Sequence, residues 1–261
     1  AIEFGRNKLG TPILIGAEKR IKEQLKNIGL DENYKIEIVN STDREKREKY
    51  VKHLYKRLQR EGQLERDVDR LVRNDRIAWG ASMIACQDAD AMVTGNIRHY
   101  AASIEKLKKV TDPRPGEEIF GMTMITLKGK TILVADTNVQ DFPSPERLVK
   151  VSKSCVRVAR LFGFDPKVAF LSHSTFGKPI SKNTKHVRDA INLLRTEKVD
   201  FDFDGEMQPD VALNPIYQEI YPFSKIVGNA NILIMPALHS AAISTKLMRT
   251  IGGAKTIGPL L

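Results

Sequence analysis

Two stretches of this chain carry side chains suited to holding a small polar ligand. Val168-Ala169-Phe170-Leu171 runs apolar and then breaks into Ser172-His173-Ser174-Thr175-Phe176-Gly177-Lys178-Pro179, and about one helix later comes Asp204-Gly205-Glu206-Met207-Gln208-Pro209-Asp210. Ser172, Ser174 and Thr175 supply hydroxyls, Gly177 lets a ligand approach the backbone closely, and Lys178 offers a point charge for a phosphate. Glu206, Gln208 and Asp210 add acceptors and an amide. A plainer reading stands beside this one: the first stretch caps the next helix, Asp204-Gly205 is a turn, and Asp210 is a helix cap.

Polar groups placed directly after apolar runs need strands to deliver them. In open α/β sheets the ligand sits outside the carboxyl ends of parallel strands, and both stretches have that form. The chain around them alternates accordingly. Residues up to Leu9 read as a helix end closed by Gly10, followed by a strand at 12–16, a helix at 18–29 and a strand at 35–39. A charged helical region runs from Asp43 to about Arg60, breaks near Gly62, and resumes through Val68, Leu71 and Val72 into a small-residue helix at 77–86. A strand is expected at 89–95 and a helix at 101–109.

Asp112-Pro113-Arg114-Pro115-Gly116 is the strongest turn cluster, and a lobe boundary is expected there, with lobes at 1–115 and 116–261. Beyond it, 121–127 and 131–135 flank the hairpin signal Lys128-Gly129-Lys130. Ser144-Pro145 opens a helix carrying Leu148, Val151, Cys155, Ala159 and Phe162 on its apolar face. Strands at 167–171, 201–203 and 230–235, with helices at 184–195 and 215–220, complete the pattern.

With 261 residues and 41% apolar composition the chain can bury a substantial core. No run approaches the ~18 apolar residues of a membrane span, and the first residues lack the order of a secretory signal, so a cytoplasmic location is expected. The formal charge of +10 comes from Lys and Arg interleaved with acids at helical spacing, which reads as solvated helix faces. No nucleic-acid motif accompanies it, and neither a nucleic-acid nor a membrane partner is expected. Cys86 and Cys155 are too far apart for a zinc spacing and sit on apolar helix faces, where an inert thiol is expected. His53, His99, His173, His186 and His239 have no sequence-near partner suggesting a metal or a triad, and His239 is the one retained as a ligand candidate. With no Gly-x-Gly-x-x-Gly fingerprint after a strand, neither NADP nor a metal is expected in this chain.

Ala135-Asp136-Thr137-Asn138-Val139, Leu171-Ser172-His173-Ser174-Thr175, the Asp204 to Asp210 stretch, Asn231-Ile232-Leu233-Ile234-Met235-Pro236-Ala237-Leu238 and Ile257-Gly258-Pro259-Leu260-Leu261 follow the order and spacing of the phosphate acetyltransferase and butyryltransferase family. Within that family the motifs most resemble the phosphotransacetylase-like carboxyl-terminal domain of bacterial NADP-dependent malic enzymes. The resemblance implies a two-lobed, three-layer α/β/α sandwich of the isocitrate dehydrogenase-like phosphotransacetylase kind, with acyl-CoA held between the lobes and homodimers formed through the second lobe. Apolar Phe142, Phe162, Phe164, Phe176 and the helix at 240–248 are the expected dimer surface.

Carried onto this sequence, the family's pattern implies acetyl-CoA or CoA at Ser172, Ser174, Thr175, Gly177, Lys178, Glu206, Gln208, Asp210 and His239. It also shows departures. Where active relatives place first-lobe arginines, this chain has Leu58, with Arg57 and Arg60 nearby, and Glu105. The family's opening strand, and the Ser-Arg-Gly element with its aspartate base beyond Gly258-Pro259, find no match in these residues. No catalytic residue is assigned. Three readings follow: an acetyl-CoA-binding regulatory and oligomerising domain of a malic enzyme; an active phosphate acetyltransferase recruiting Arg57, Arg60 or Arg98; and a dimerisation module that binds no CoA. In the first, the parent protein converts malate to pyruvate and CO2, with NADP and Mg or Mn held by upstream domains.

Overall fold

The computed structural model describes residues 1–29, 35–95, 99–137 and 139–261. Two compact units divide the chain, Ala1–Asp112 and Pro113–Leu261.

The first unit contains α1 (Ile2–Arg6), β1 (Ile13–Ile15), α2 (Glu18–Asn27), β2 (Glu37–Val39), α3 (Arg44–Leu58), α4 (Glu65–Asn74), α5 (Arg76–Ala85) and α6 (Tyr100–Val110). β1 and β2 pair in parallel, Leu14 opposite Ile38, with α2 as the crossover. Asp43 opens α3 by accepting from the Lys46 amide at 3.1 Å, and Gly62 reverses the chain after it at φ +80°. Asp75 opens α5, its carboxylate accepting from the amides of Ile77 and Ala78 and pairing with Lys106 of α6. Trp79 of α5 is fully buried and meets the edge of Tyr50 of α3 at 5.0 Å.

Residues 89–95 do not form the expected strand. Among the described residues they have no ladder partner, and the chain bends at Asp90. Ala89 and Met92 pack on this core while Val93 is fully exposed, and two inward side chains three residues apart do not follow the two-residue alternation of a strand. Gly80 is what admits it: a Cβ there would meet Met92 Sδ at 2.9 Å.

The second unit is a three-layer α/β/α sandwich. Its strands are β3 (Met122–Leu127), β4 (Lys130–Ala135), β5 (Lys167–Leu171), β6 (Asp202–Met207), β7 (Ile232–Ile234) and β8 (Lys255–Leu260), in the order β6-β5-β7-β4-β3-β8. β4, β5, β6 and β7 run parallel, whereas β3 is antiparallel to both β4 and β8, so the sheet is mixed rather than wholly parallel. The β3–β4 turn is Lys128-Gly129, both at positive φ, as a two-residue hairpin of this hand requires.

The helices α7 (Pro145–Leu161), α8 (Lys185–Thr196), α9 (Pro209–Leu213), α10 (Pro215–Gln218) and α11 (Leu238–Thr250) cover the sheet. Strand alternation divides the core between its two faces. Met122, Leu133, Ala135, Val168, Phe170, Ile232 and Ile234 pack with α7 and α8 on one face, and Val134, Ala169, Leu171, Met207, Leu233 and Met235 pack with α9 and α11 on the other. Ser144 caps α7 by accepting from the Arg147 amide.

Asp204-Gly205 is not a turn: both residues lie inside β6, which extends four residues past the expected strand end at 203. Gly205 is required there, since at φ +141° a Cβ would fall 2.6 Å from the Phe170 carbonyl oxygen of the neighbouring strand. Asp210 is not the cap of the next helix either. Gln208 holds that position, and Asp210 lies in the first turn of α9 with its carboxylate 3.0 Å from the Val211 amide.

Candidate functional site

Four parallel strands end along one edge of the second unit's sheet, and there the chain leaves for opposite faces. β5 leads to α8 on one face, whereas its neighbour β7 leads to α11 on the other. Adjacent parallel strands whose exits diverge leave a crevice beyond their carboxyl ends, which is where open α/β sheets bind ligands. By that rule a crevice is expected between the loop after β5, residues 172–181, and the β7–α11 connection at 235–238. His186 of α8 bridges the two sides: its Nε2 is 3.0 Å from the Pro236 carbonyl oxygen, and its ring meets that of Phe142 in a tilted contact with centroids 4.4 Å apart.

The loop after β5 is built around Glu206. This carboxylate is almost wholly buried, and its Oε1 accepts from Ser174 Oγ at 3.0 Å and from the Gly177 amide at 2.9 Å. Arg188 of α8 approaches the other oxygen, Nε to Oε2 being 4.0 Å. The Phe176 amide donates to the Glu206 carbonyl at 2.8 Å. Thr175 and Lys178 exchange both backbone hydrogen bonds across Phe176 and Gly177, which both have positive φ. A fixed hairpin therefore stands where an unstructured loop could have been.

The sequence-derived candidates fall into two groups. Ser172, Ser174, Thr175 and Glu206 are buried, and Ser174 links the Ser172 hydroxyl to the Glu206 carboxylate. Thr175 Oγ1 accepts from the Gln208 amide at 3.2 Å, and Gln208 Nε2 donates to the His173 carbonyl at 3.0 Å, so these residues bind the β5 exit to the β6 exit. Lys178, Asp210 and His239 are exposed, and Gly177 is half-buried. His239 lies in the first turn of α11, without a hydrogen bond or ion pair among the described residues.

The motif 135–139 closes the β4 end: Asp136 Oδ1 accepts from the amides of Gly121 and Val139, and its Oδ2 lies 3.7 Å from Arg147 Nη2. Asn138 of that motif lies outside the described residues. Asp204 is likewise buried, accepting from Arg195 Nη2 at 3.2 Å and from the Lys225 amide at 2.9 Å. Arg188, Arg147 and Arg195 escaped sequence reasoning because each sits in a helix of mixed charge, and only the fold brings it to a carboxylate outside its own helix.

The first-unit positions read as departures are also placed. Leu58 is a core residue. Arg57 holds both oxygens of Asp112 and donates to the Lys108 and Lys109 carbonyls at the end of α6. Arg60 is exposed, and exposed Glu105 pairs with Lys109 at 3.3 Å. Arg98 lies outside the described residues. Burial alone pushes the Cys155 thiol up to about 12, and Cys86 is also raised, by burial first, with Lys49 opposing and Asp88 adding to the shift. Among the described residues no three His, Cys, Asp or Glu cluster as a metal site, and no helix is long and apolar enough to cross a membrane.

Of the expected dimer surface, Phe164 packs into one face's core and Phe176 into the other's, where it meets Tyr221 and Phe223. Phe142 and Phe162 are exposed, as are Ile243, Leu247 and Ile251, which lie in and just after α11.

Comparison with known proteins agrees with this architecture. The sequence profile of the family described as Phosphate acetyl/butaryl transferase matches residues 1–261. An NADP-dependent malic enzyme of Rhizobium meliloti is 44% identical over the whole chain, which corresponds to 34% of that protein's length. A phosphate acetyltransferase of Staphylococcus aureus is 26% identical over 96% of the chain and 77% of its own length. The crystal structure of a phosphotransacetylase from Streptococcus pyogenes superposes with a TM-score of 0.84 at 25% identity, covering 99% of this chain and 79% of that one. The chain spans about a third of the length of the malic enzymes it matches.

Proposed function

The chain belongs to the phosphate acetyl/butaryl transferase family, and on that premise we propose that it is the phosphotransacetylase-like carboxyl-terminal domain of an NADP-dependent malic enzyme, where it binds acetyl-CoA as an effector and aids assembly without transferring acyl groups. The parent protein would oxidise and decarboxylate malate to pyruvate, with NADP and Mg or Mn held upstream of this chain.

One observation carries the regulatory side of this reading. Acyl transfer between CoA and phosphate needs cations that hold the phosphate and offset its charge. Arg57, beside the position where active relatives carry an arginine, is already held by Asp112 and the end of α6, and Glu105 puts a carboxylate where those relatives carry another. The Asp112 carboxylate sits below its ordinary range because Arg57 donates to it, so the pair stays charged near neutrality.

Binding is supported by the pre-set hairpin at 175–178 and by exposed Lys178 beside the crevice, since a ligand meeting a fixed backbone loses little to loop ordering. Assembly is supported by the exposed apolar residues of α11.

Isothermal titration of the chain with acetyl-CoA tests the reading. The expected result is saturable binding that weakens as salt rises, because the ligand is a polyanion. No heat and no thermal shift at millimolar ligand would leave the dimerisation module instead.

The second reading, an active phosphate acetyltransferase, is favoured by the fold shared with solved phosphotransacetylases. It requires acetyl-CoA formation from acetyl phosphate and CoA.

A further inference from the structure

We infer that Arg188 is an anion-binding residue of the loop after β5, with Glu206 and the Ser181 carbonyl setting its guanidinium so that Nη1 faces the ligand side of Gly177. The inference rests on the crevice being a binding site and adds to it a cation that the sequence motifs do not contain.

The geometry divides the guanidinium into a held side and an open one. Nε faces Glu206 Oε2 at 4.0 Å, and Nη2 donates to the Ser181 carbonyl at 3.2 Å. Nη1 has no hydrogen-bond partner among the described residues and stands 3.9 Å from where a Gly177 side chain would begin. The side chain is a third exposed, so solvent reaches it. Glu206 is held in turn by Ser174 and the Gly177 amide, so the carboxylate facing Nε is itself fixed to the hairpin.

With Nε and Nη2 turned to protein acceptors, the Nη1 N–H donors are left for a ligand, and charged donors of this kind suit an oxyanion such as a phosphate. Exposed Lys178, on the same hairpin, adds a second positive charge, so the loop matches a phosphate-bearing ligand better than a neutral one. If Arg188 only closed the loop, its loss would lower stability and leave the charge dependence of binding unchanged.

The test uses the full chain, with acetyl-CoA and inorganic pyrophosphate as separate probes, titrated at two salt concentrations. Arg188→Gln should weaken both probes about tenfold and flatten the salt dependence, with Arg188→Lys intermediate. In the unmodified chain, pyrophosphate should protect Arg188 from phenylglyoxal, read by mass spectrometry, and this decides the matter if the glutamine variant does not fold. Pyrophosphate bound without acetyl-CoA would remove the acetyl-CoA reading and leave this inference standing. Wild-type binding by Arg188→Gln, absence of protection, or binding of neither probe would overturn it.

Discussion

Ser174 Oγ lies 3.0 Å from Glu206 Oε1, with both side chains shut away from solvent. A hydroxyl from the exit of β5 thus satisfies a carboxylate from β6 and makes the two strand ends one body. A hydrogen bond to a buried charge contributes about 1.5–3 kcal/mol, and its removal leaves the carboxylate short of a donor. Ser174→Ala should therefore lower unfolding stability by about 2 kcal/mol in urea titration. A loss within experimental error would show that the Gly177 amide and Arg188 suffice to hold Glu206.

Gly205 and Gly163 both have positive φ but differ in surroundings. A Cβ at Gly205 would meet the Phe170 carbonyl oxygen at 2.6 Å, whereas one at Gly163 would meet nothing within 4 Å. Gly163→Ala should cost about 1–2 kcal/mol, the strain of a left-handed conformation. Gly205→Ala should cost about 4 kcal/mol or more, because β5 and β6 must also part. Thermal melts of the two variants should rank them in that order, and equal melts would contradict the steric argument.

Much of this architecture can be read from residues alone. Ser144-Pro145 starts α7, Lys128-Gly129 makes the hairpin, and the apolar run into Ser172 ends β5, since each signal is local. The strand expected at 89–95 failed because a short apolar stretch does not supply a partner. β8 escaped notice for the opposite reason: with Gly258 and Pro259 in it, it reads as a loop, yet a proline is admissible in an edge strand and β3 supplies the ladder. At the site the residue types were legible, but their direction was not. Whether Glu206 faces a ligand or the loop depends on β6 running through Asp204-Gly205 to the edge of the sheet.

Asp88 links two parts of the first unit, accepting from Tyr50 Oη at 2.8 Å and Lys49 Nζ at 2.6 Å. Donation by Lys49 first, then by Tyr50, holds its carboxyl below the ordinary carboxylate range. A depressed carboxylate adds stability that is present above the unfolded pKa and is lost as pH falls through the folded one. Wild type should thus be more stable than Asp88→Asn at neutral pH, and their unfolding midpoints should converge below about pH 4. A gap that persists unchanged at pH 3 would show that ionisation of Asp88 is not its source.

Cys155 is fully buried in α7 beside Met122 Sδ at 3.2 Å, and its thiol is pushed up to about 12 by burial. Since the thiolate is the reactive form, iodoacetamide at pH 8 should leave Cys155 unmodified in the folded chain. Cys86, only partly buried, should be alkylated slowly, and both should react in denaturant. Peptide mass spectrometry separates the two sites, and early labelling of Cys155 would indicate local opening of α7.

Acyl transfer should be undetectable, for reasons of charge. At an effective dielectric near 20, exchanging a cation for an anion about 5 Å from a phosphate raises its energy by several kcal/mol, and each ~1.4 kcal/mol is tenfold in rate. On the proposed reading Glu105 would make that exchange at one position; it is ion-paired with Lys109 at 3.3 Å. Arg57 cannot substitute while it spans Asp112 and the carbonyls of Lys108 and Lys109, because turning to a phosphate would leave those acceptors without their donor. Acetyl phosphate and CoA should therefore give no acetyl-CoA with the chain, and Arg57→Gln should lower stability without changing that result. Turnover by the unmodified chain that disappears in Arg57→Gln would establish the transferase reading and make Arg57 its phosphate-holding cation.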